Sequence, residues 1–432
     1  MLIDKIQHKT AVIGVVGLGY VGLPLAVSFA EAGFRVIGID IQQSKLDAIR
    51  RRESYVADID GGRIGAVVNQ GKFQAVNWEQ ASEADIFLIC VPTPITEYKK
   101  PDLSYIIDTT KQLKSRLASQ DSLVILESST YPGTTRDVVL PILAGSAKYV
   151  AYSPERVDPG NKKFNIKNTP KLVAGIDKES TELATLLYKQ IVDKVVPVSS
   201  LEVAETAKLY ENVFRNVNIA LANEMALICE KIGVSVWDVI DAAATKPFGF
   251  MPFYPGVGVG GHCIPVDPYY LADKANKHSI GYTKLIRTAL DVNEEMPLQV
   301  ARWITNTLVG RIGSMLKAKI LILGVAFKRD VGDIRESPSV ELLEILQSWG
   351  ADAHYNDPYV PRLTNHKTLD EESVELTDEL LESVDCVVTA TDHSCYDWQW
   401  IVERARMVFD TRNATRGLVS DKIYRLGERK IE

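Results

Sequence analysis

The stretch Thr10-Ala-Val-Ile-Gly-Val-Val-Gly-Leu-Gly-Tyr-Val-Gly-Leu-Pro-Leu-Ala26, followed by Phe34-Arg-Val-Ile-Gly-Ile-Asp40, decides the fold. Small and β-branched residues up to Val16 predict a strand, the glycines a tight turn, and Leu23 to Ala32 a helix that Gly33 stops. The second run is another short apolar strand, and it ends on an acid. Gly17, Gly19 and Gly22 thus form a GxGxxG pattern between a strand and a helix, with Asp40 21 residues after Gly19. Gly17 permits the turn, Gly19 lets the main chain approach a pyrophosphate, and Gly22 allows close helix packing, while the helix N-terminus favours phosphate charge. A carboxylate at Asp40 would accept ribose hydroxyls and repel a 2′-phosphate, which predicts NAD rather than NADP.

Working outward, Ala84 to Val91 and Ser122 to Glu127 are further short apolar runs of the buried parallel type. Strands alternating with helices predict a doubly wound α/β sheet over roughly the first 200 residues. Leu201 to Ile232 holds neither Gly nor Pro, Ser199 or Ser200 can cap its start, and Gly233 can end it. At about 1.5 Å per residue this helix is on the order of 48 Å long, suited to a spine that joins two domains and supplies a surface for self-association. A second helical stretch is expected from Tyr282 to Gly310. The opening pattern then returns in Lys319 to Lys328, a helix from Ser339 to Trp349, Ala353 to Asp357, Asp385 to Asp392 and Met407 to Asp410. The expected fold is therefore α/β, with two Rossmann-like doubly wound domains joined by a long central helix, the second lacking the full glycine fingerprint. Residues 1–200 would bind NAD, 201–310 would form a helical dimerisation domain with a catalytic loop, and 311–432 would bind the second ligand. Ligands in such sheets lie beyond the carboxyl ends of the strands.

Composition narrows the class. The 432 residues are 46% apolar and 24% charged, which excludes disorder, collagen-like repeats and coiled-coil rods. With 49 basic and 56 acidic residues the formal charge is −7, which argues against a nucleic-acid partner but leaves room for a local cationic pocket. Five widely spaced cysteines without a CxxC pair suit a reducing, cytoplasmic setting and no zinc or other metal. Thr10 to Ala30 is uncharged and long enough to cross a bilayer, yet Gly14, Gly17, Gly19, Gly22 and Pro24 interrupt it, so no membrane association is expected.

Cys263 lies in Gly256-Val-Gly-Val-Gly-Gly-His-Cys-Ile-Pro-Val-Asp-Pro268, read as a flexible segment that displays a thiol, with Asp267 four residues on. A nucleophile is expected in preference to core filler, and His262 as a main-chain positioning residue. Lys208 and Asn212 are one helical turn apart and can donate to one anion, the alternative being a solvated helix face. Thr130, in Ser128-Ser-Thr-Tyr-Pro-Gly133, and Glu155, in Ser153-Pro-Glu-Arg-Val157, occupy loops where α/β active sites usually lie.

Together these segments resemble the nucleotide-sugar 6-dehydrogenases, which include the UDP-glucose, UDP-N-acetylhexosamine and GDP-mannose enzymes. The resemblance rests on GLGYVGLPLA at 17–26, VPTP at 91–94, SST at 128–130, SPER at 153–156, AKLYEN at 207–212, GGHCIPVDP at 260–268 and AFKRDVGDIRESPS at 326–339. It implies a four-electron oxidation of a sugar C6 alcohol to a carboxylate with two NAD per turnover. Cys263 would form a thiohemiacetal and then a thioester. Lys208 and Asn212 match the pair that stabilises oxyanions, Asp267 the acid/base carboxylate acting with Thr130 through a water, and Glu155 the carboxylate of thioester hydrolysis. The resemblance further implies cofactor contacts from Gly17, Gly19, Tyr20, Val21, Gly22, Asp40, Pro92, Thr93, Thr130 and Arg335. Substrate contacts would come from Glu155, Arg156, Lys208, Asn212, Phe253, Tyr254, Gly260 and Lys328. Cys263-Ile-Pro-Val-Asp267 has Val266 where the UDP-glucose and GDP-mannose enzymes resemble CxPKD, and Thr245 to Tyr254 departs similarly. Both resemble the N-acetylhexosamine branch, with UDP-N-acetylglucosamine the expected substrate and the galactosamine and mannosamine epimers or UDP-glucose as alternatives. A UDP-sugar and a second copy of the chain are the expected partners. A one-step hydroxyacid dehydrogenase and a non-enzymatic NAD sensor are the competing readings.

Overall fold

The computed structural model describes residues 1–56, 59–158, 160–161, 163–277, 283–364 and 369–429. They fall into two compact units, one of Met1–Glu211 with Tyr269–Gly281, the other of Asn212–Pro268 with Tyr282–Glu432. The first holds β1 (Val12–Val16), β2 (Arg35–Ile39), β3 (Phe73–Val76), β4 (Ile86–Ile89), β5 (Leu123–Leu126), β6 (Tyr149–Tyr152), β7 (Lys171–Gly175) and β8 (Val195–Pro197). Their spatial order is β3-β2-β1-β4-β5-β6-β7-β8. Every pair is parallel except β6 and β7. Every residue of β4, β5 and β6 is buried, as expected of strands covered on both faces.

The second unit contains β9 (Lys319–Leu323), β10 (Asp352–Asn356), the short antiparallel pair β11 (Arg362–Leu363) and β12 (Glu371–Glu372), β13 (Cys386–Thr389), β14 (Val408–Asp410) and β15 (Ile423–Arg425). Its main sheet is parallel, in the order β10-β9-β13-β14-β15. The protein is thus α/β, with two sheet domains joined by the helix Leu201–Ile232. Ser200 caps that helix, its Oγ accepting from Val203 N at 3.3 Å, and Gly233 ends it with φ +80°. The next long helix runs Lys284–Ile312 and closes on Gly313 at φ +82° rather than on Gly310. The expected start at Tyr282 lies outside the described residues.

The two sheets repeat one local solution. After β1, Gly17 at φ +89° donates to Ile39 O (2.8 Å), and Leu18 N donates to Asp40 Oδ2 (2.8 Å). After β9, Gly324 at φ +81° donates to Asn356 O (2.9 Å), and Val325 and Ala326 donate to Asp357 Oδ2 at 2.8 and 2.9 Å. A side chain at either glycine would strike a neighbouring strand's carbonyl, that of Cys90 at 2.6 Å or of Thr391 at 2.5 Å.

The copies differ at the acid. Asp357 is buried beneath His393, whose Nε2 lies 3.1 Å from Asp357 Oδ2 while its Nδ1 accepts Asp330 N at 2.9 Å. Burial by itself would raise the Asp357 carboxyl, but His393 and the N–H groups of Ala326 and Tyr359 hold it below its usual range. The stabilisation is therefore complete above about pH 4 and is lost as pH falls through the depressed folded value. Asp357→Asn is expected to cost about 2 kcal/mol in urea denaturation at pH 7. The difference from wild type should close as the denaturation series is taken into acid.

Candidate active site

In the first unit the glycine turn and the N-terminus of the helix Gly22–Glu31 make a cradle. Gly22 lies against the Gly17 carbonyl with no space for a Cβ, whereas the Cβ position of Gly19 is open. This is where a pyrophosphate would approach the main chain. Tyr20 is partly exposed beside it, and Val21 packs against the core. Asp40 Oδ2 accepts from Leu18 N and from Lys45 Nζ (3.1 Å), and Oδ1 accepts from Gln42 N (2.9 Å). Among the described residues three of about four acceptor positions on this carboxylate are filled, and the fourth, on Oδ1, suits the expected ribose hydroxyl. The cradle fits a dinucleotide.

After β4, Pro92 is exposed and Thr93 buried, and the Thr93 carbonyl accepts Tyr270 OH at 2.7 Å. Thr130 is buried, its Oγ1 donating to Thr134 Oγ1 at 2.7 Å. Glu205 of the long helix holds this loop by accepting from Gly133 N (2.5 Å), Thr135 N (2.9 Å) and Thr135 Oγ1 (2.7 Å). Glu155 Oε1 accepts the N–H groups of Arg156 and Val157, and Oε2 lies 3.3 Å from Lys171 Nζ. Arg156 pairs with Glu211 and donates to Pro170 O.

On the long helix Lys208 and, one turn on, Asn212 are both buried, which removes the solvated-face alternative. In the second unit Asn212 Nδ2 donates to Asp267 Oδ2 at 2.5 Å. The segment holding Cys263 differs from its expected flexible form. Cys263 is the first residue of the helix Cys263–Lys277, with its thiol exposed and Asp267 one turn along the same face. The preceding glycines serve close packing rather than freedom. Gly261 N donates to Arg335 O, and a Cβ at Gly260 would meet Phe327 Cβ at 2.5 Å and Glu336 O at 2.8 Å. His262 is held below its usual pKa by burial and by the Arg335 guanidinium, so it enters as a neutral ring.

Prolines hid this helix from sequence reading. Pro265 is tolerable in a first turn, but Pro268 has no N–H to give Ile264 O, four residues back. Asn216 Nδ2 donates to that carbonyl instead, at 3.3 Å. Asn216 was missed, although its spacing of four from Asn212 places it on the same face. Further along, Asn223 accepts from Gly256 N and donates to Asn293, which donates to Asn216 O.

Phe253 meets Phe214 edge-on with ring centroids 5.8 Å apart, and Tyr254 stacks on Trp237 and donates to Asp241. Lys328 follows β9 on the loop that braces Gly260, and Arg335 forms a two-point pair with Asp333. Among the described residues no group of three or more His, Cys, Asp or Glu is placed to hold a metal, and no helix is long and apolar enough to cross a membrane.

A sheet with the 3-2-1-4-5-6 start, its glycine turn and an acid after β2 define a Rossmann-type dinucleotide-binding domain. Models of the UDP-glucose/GDP-mannose dehydrogenase family match the chain three times, as NAD binding domain at 11–192, central domain at 202–295 and UDP binding domain at 321–417. The chain is 36% identical over 414 residues to a UDP-N-acetyl-D-mannosamine dehydrogenase of Methanococcus maripaludis, covering 93% of this chain and 92% of that one. It is 36% identical over 361 residues to a UDP-N-acetyl-D-glucosamine 6-dehydrogenase of Pseudomonas aeruginosa, covering 82% and 84%. The solved structure of a UDP-D-ManNAc dehydrogenase from Pyrococcus horikoshii superposes with a TM-score of 0.86 at 32% identity, over 96% of this chain and 99% of that one. The chain belongs to the UDP-glucose/GDP-mannose dehydrogenase family and is an NAD-dependent nucleotide-sugar dehydrogenase.

Asn216→Leu strands the Ile264 carbonyl. Chemical denaturation is expected to register a loss of about 2 kcal/mol.

Proposed function

We propose that this enzyme oxidises the C6 alcohol of a UDP-N-acetylhexosamine to the carboxylate, with UDP-N-acetylmannosamine the preferred sugar nucleotide. The observation that carries the chemistry is the first turn of the helix Cys263–Lys277, where an exposed thiol and a buried carboxylate share one face and Asn212 holds the carboxylate. For the sugar, the resemblance of the motifs favours glucosamine, whereas two of the three relatives described above carry mannosamine in their names. Mannosamine therefore leads and glucosamine follows.

The overall balance is one alcohol, two NAD⁺ and one water giving a carboxylate, two NADH and three protons. NAD, when bound, accepts a hydride in each of two oxidative steps. The residues of the chain do the rest. Cys263 adds to the aldehyde carbon and later leaves from the thioester as its C–S bond breaks. Asp267 exchanges protons with the reacting oxygen. Asn212 has a second amide hydrogen beyond the one given to Asp267, and Lys208 has three, so both can donate to a developing oxyanion. The motif resemblance supports a water-ordering role for Thr130, proton acceptance during hydrolysis for Glu155 and a contact with substrate phosphate for Lys328.

A homodimer built on residues 201–310 is part of this proposal. The long helix exposes Val203, Tyr210, Phe214, Leu221, Ile228 and Ile232, a stripe spaced throughout by four or seven. Sedimentation equilibrium is expected to give twice the chain mass, and a monomer at all concentrations would remove this part.

Reaction stoichiometry tests the function directly. Two NADH per sugar are expected at 340 nm, with UDP-N-acetylmannosamine turned over fastest in a panel with the glucosamine, galactosamine and glucose nucleotides. One NADH per sugar would instead support the hydroxyacid dehydrogenase reading. Cys263→Ser is expected to bind both ligands and to lose net oxidation by at least about 1000-fold.

A further inference from the structure

The antiparallel strand β7 brings a buried cation to the edge where strands β4 to β6 end. Because β7 runs against β6, its first residue, Lys171, lies at the carboxyl edge of its neighbours. Lys171 Nζ is 2.8 Å from Glu127 Oε2, just after β5, and 3.3 Å from Glu155 Oε2, just after β6. Tyr188 OH donates to the other oxygen of Glu127, Lys171 Nζ also donates to Pro154 O at 3.3 Å, and the Cys90 thiol lies close enough to feel all three charges. Arg156, next to Glu155 in the chain, pairs with Glu211. Lys171 and Glu127 are almost fully buried, and the functional reading above leaves both unused.

Two carboxylates share one ammonium, so the charge on either affects the other. Burial pushes Glu127 up to about 7, which makes it the carboxylate that takes a proton near neutrality. Burial would raise Glu155 too, but Lys171 and the N–H groups of Val157 and Arg156 hold it below its usual range. Glu155 consequently remains an anion and a proton acceptor in a setting where an unsupported carboxylate would become neutral.

We propose that Lys171 and Glu127 are positioning residues that fix the Glu155 carboxylate, as an anion, for the hydrolytic half of the reaction. The inference rests on the assignment of Glu155 made above. Hydrolysis adds a water oxygen to the acyl carbon, breaks the C–S bond, returns Cys263 as thiolate and releases two protons, the first to Glu155. Lys171 touches neither water nor thioester. It sets the proton affinity of the group that does.

The test compares Lys171→Met, Lys171→Gln, Lys171→Arg, Glu127→Gln and Glu155→Gln in the full-length enzyme with NAD⁺ and the best UDP-sugar of the panel. Readouts are the NADH burst, kcat against pH, and the intact mass of the protein after quenching in acid. Lys171→Met is expected to release two NADH per active site quickly and then slow about 100-fold, with the acyl group retained on Cys263 as added mass. The acid limb of its kcat profile should move up by more than one pH unit. Lys171→Arg keeps the cation and should restore the rate. Glu127→Gln, a neutral isostere of the protonated Glu127, should leave the limb where it is, and the uncharged Lys171→Gln should move it up as Lys171→Met does, which keeps the inference testable should Lys171→Met fold poorly. A wild-type limb in both Lys171→Met and Lys171→Gln, alongside acyl-enzyme accumulation in Glu155→Gln, would overturn this inference alone. Wild-type turnover in Glu155→Gln would overturn it together with the assignment of Glu155.

Discussion

A carboxylate that accepts main-chain N–H groups from a glycine turn is the constraint on which both sheets depend. The turn needs a left-handed glycine, and its next N–H has no strand partner, so without an acceptor a buried donor would be left unsatisfied. Asp40 and Asp357 supply that acceptor from the end of the adjoining strand. In the first sheet the described residues leave one acceptor position on Asp40. In the second, His393 covers the carboxylate and takes up that position. One architecture thus yields a nucleotide cradle or a closed turn according to what lies over one acid.

The long helix works by a related economy of polar groups. Glu205, Asn212, Asn216 and Asn223 are buried along it, and each is spent on main chain or acid that would otherwise lack a partner. Burying a polar group without a partner is costly, so these bonds help to fix where the attached loops sit. The apolar stripe elsewhere on the same helix carries no such demand.

Local pattern made much of this legible. The fingerprint, the alternation of strands with helices, the capped helix Leu201–Ile232 and the return of the motif after Lys319 are all written within short windows of sequence. The helix at Cys263 was not legible, because its prolines and preceding glycines read locally as loop. The donor that rescues it comes from Asn216, 48 residues earlier in the chain. Lys171 and Glu127 were invisible for a similar reason. Charged residues flanking apolar runs ordinarily mark the ends of strands in solvent, and only the reversal of β7 makes them neighbours in the interior. Residues that touch ligand chemistry announce themselves by type and spacing, whereas those that hold them in place are defined by tertiary contact.

The bond from Asn216 to Ile264 also constrains how this helix can change by descent. With Pro268 in place, loss of Asn216 strands a carbonyl and is penalised at once. If position 268 first regains an N–H, the helix satisfies itself and position 216 is released to drift. The two replacements are therefore passable in one order and obstructed in the other, a ratchet that follows from a single missing hydrogen atom.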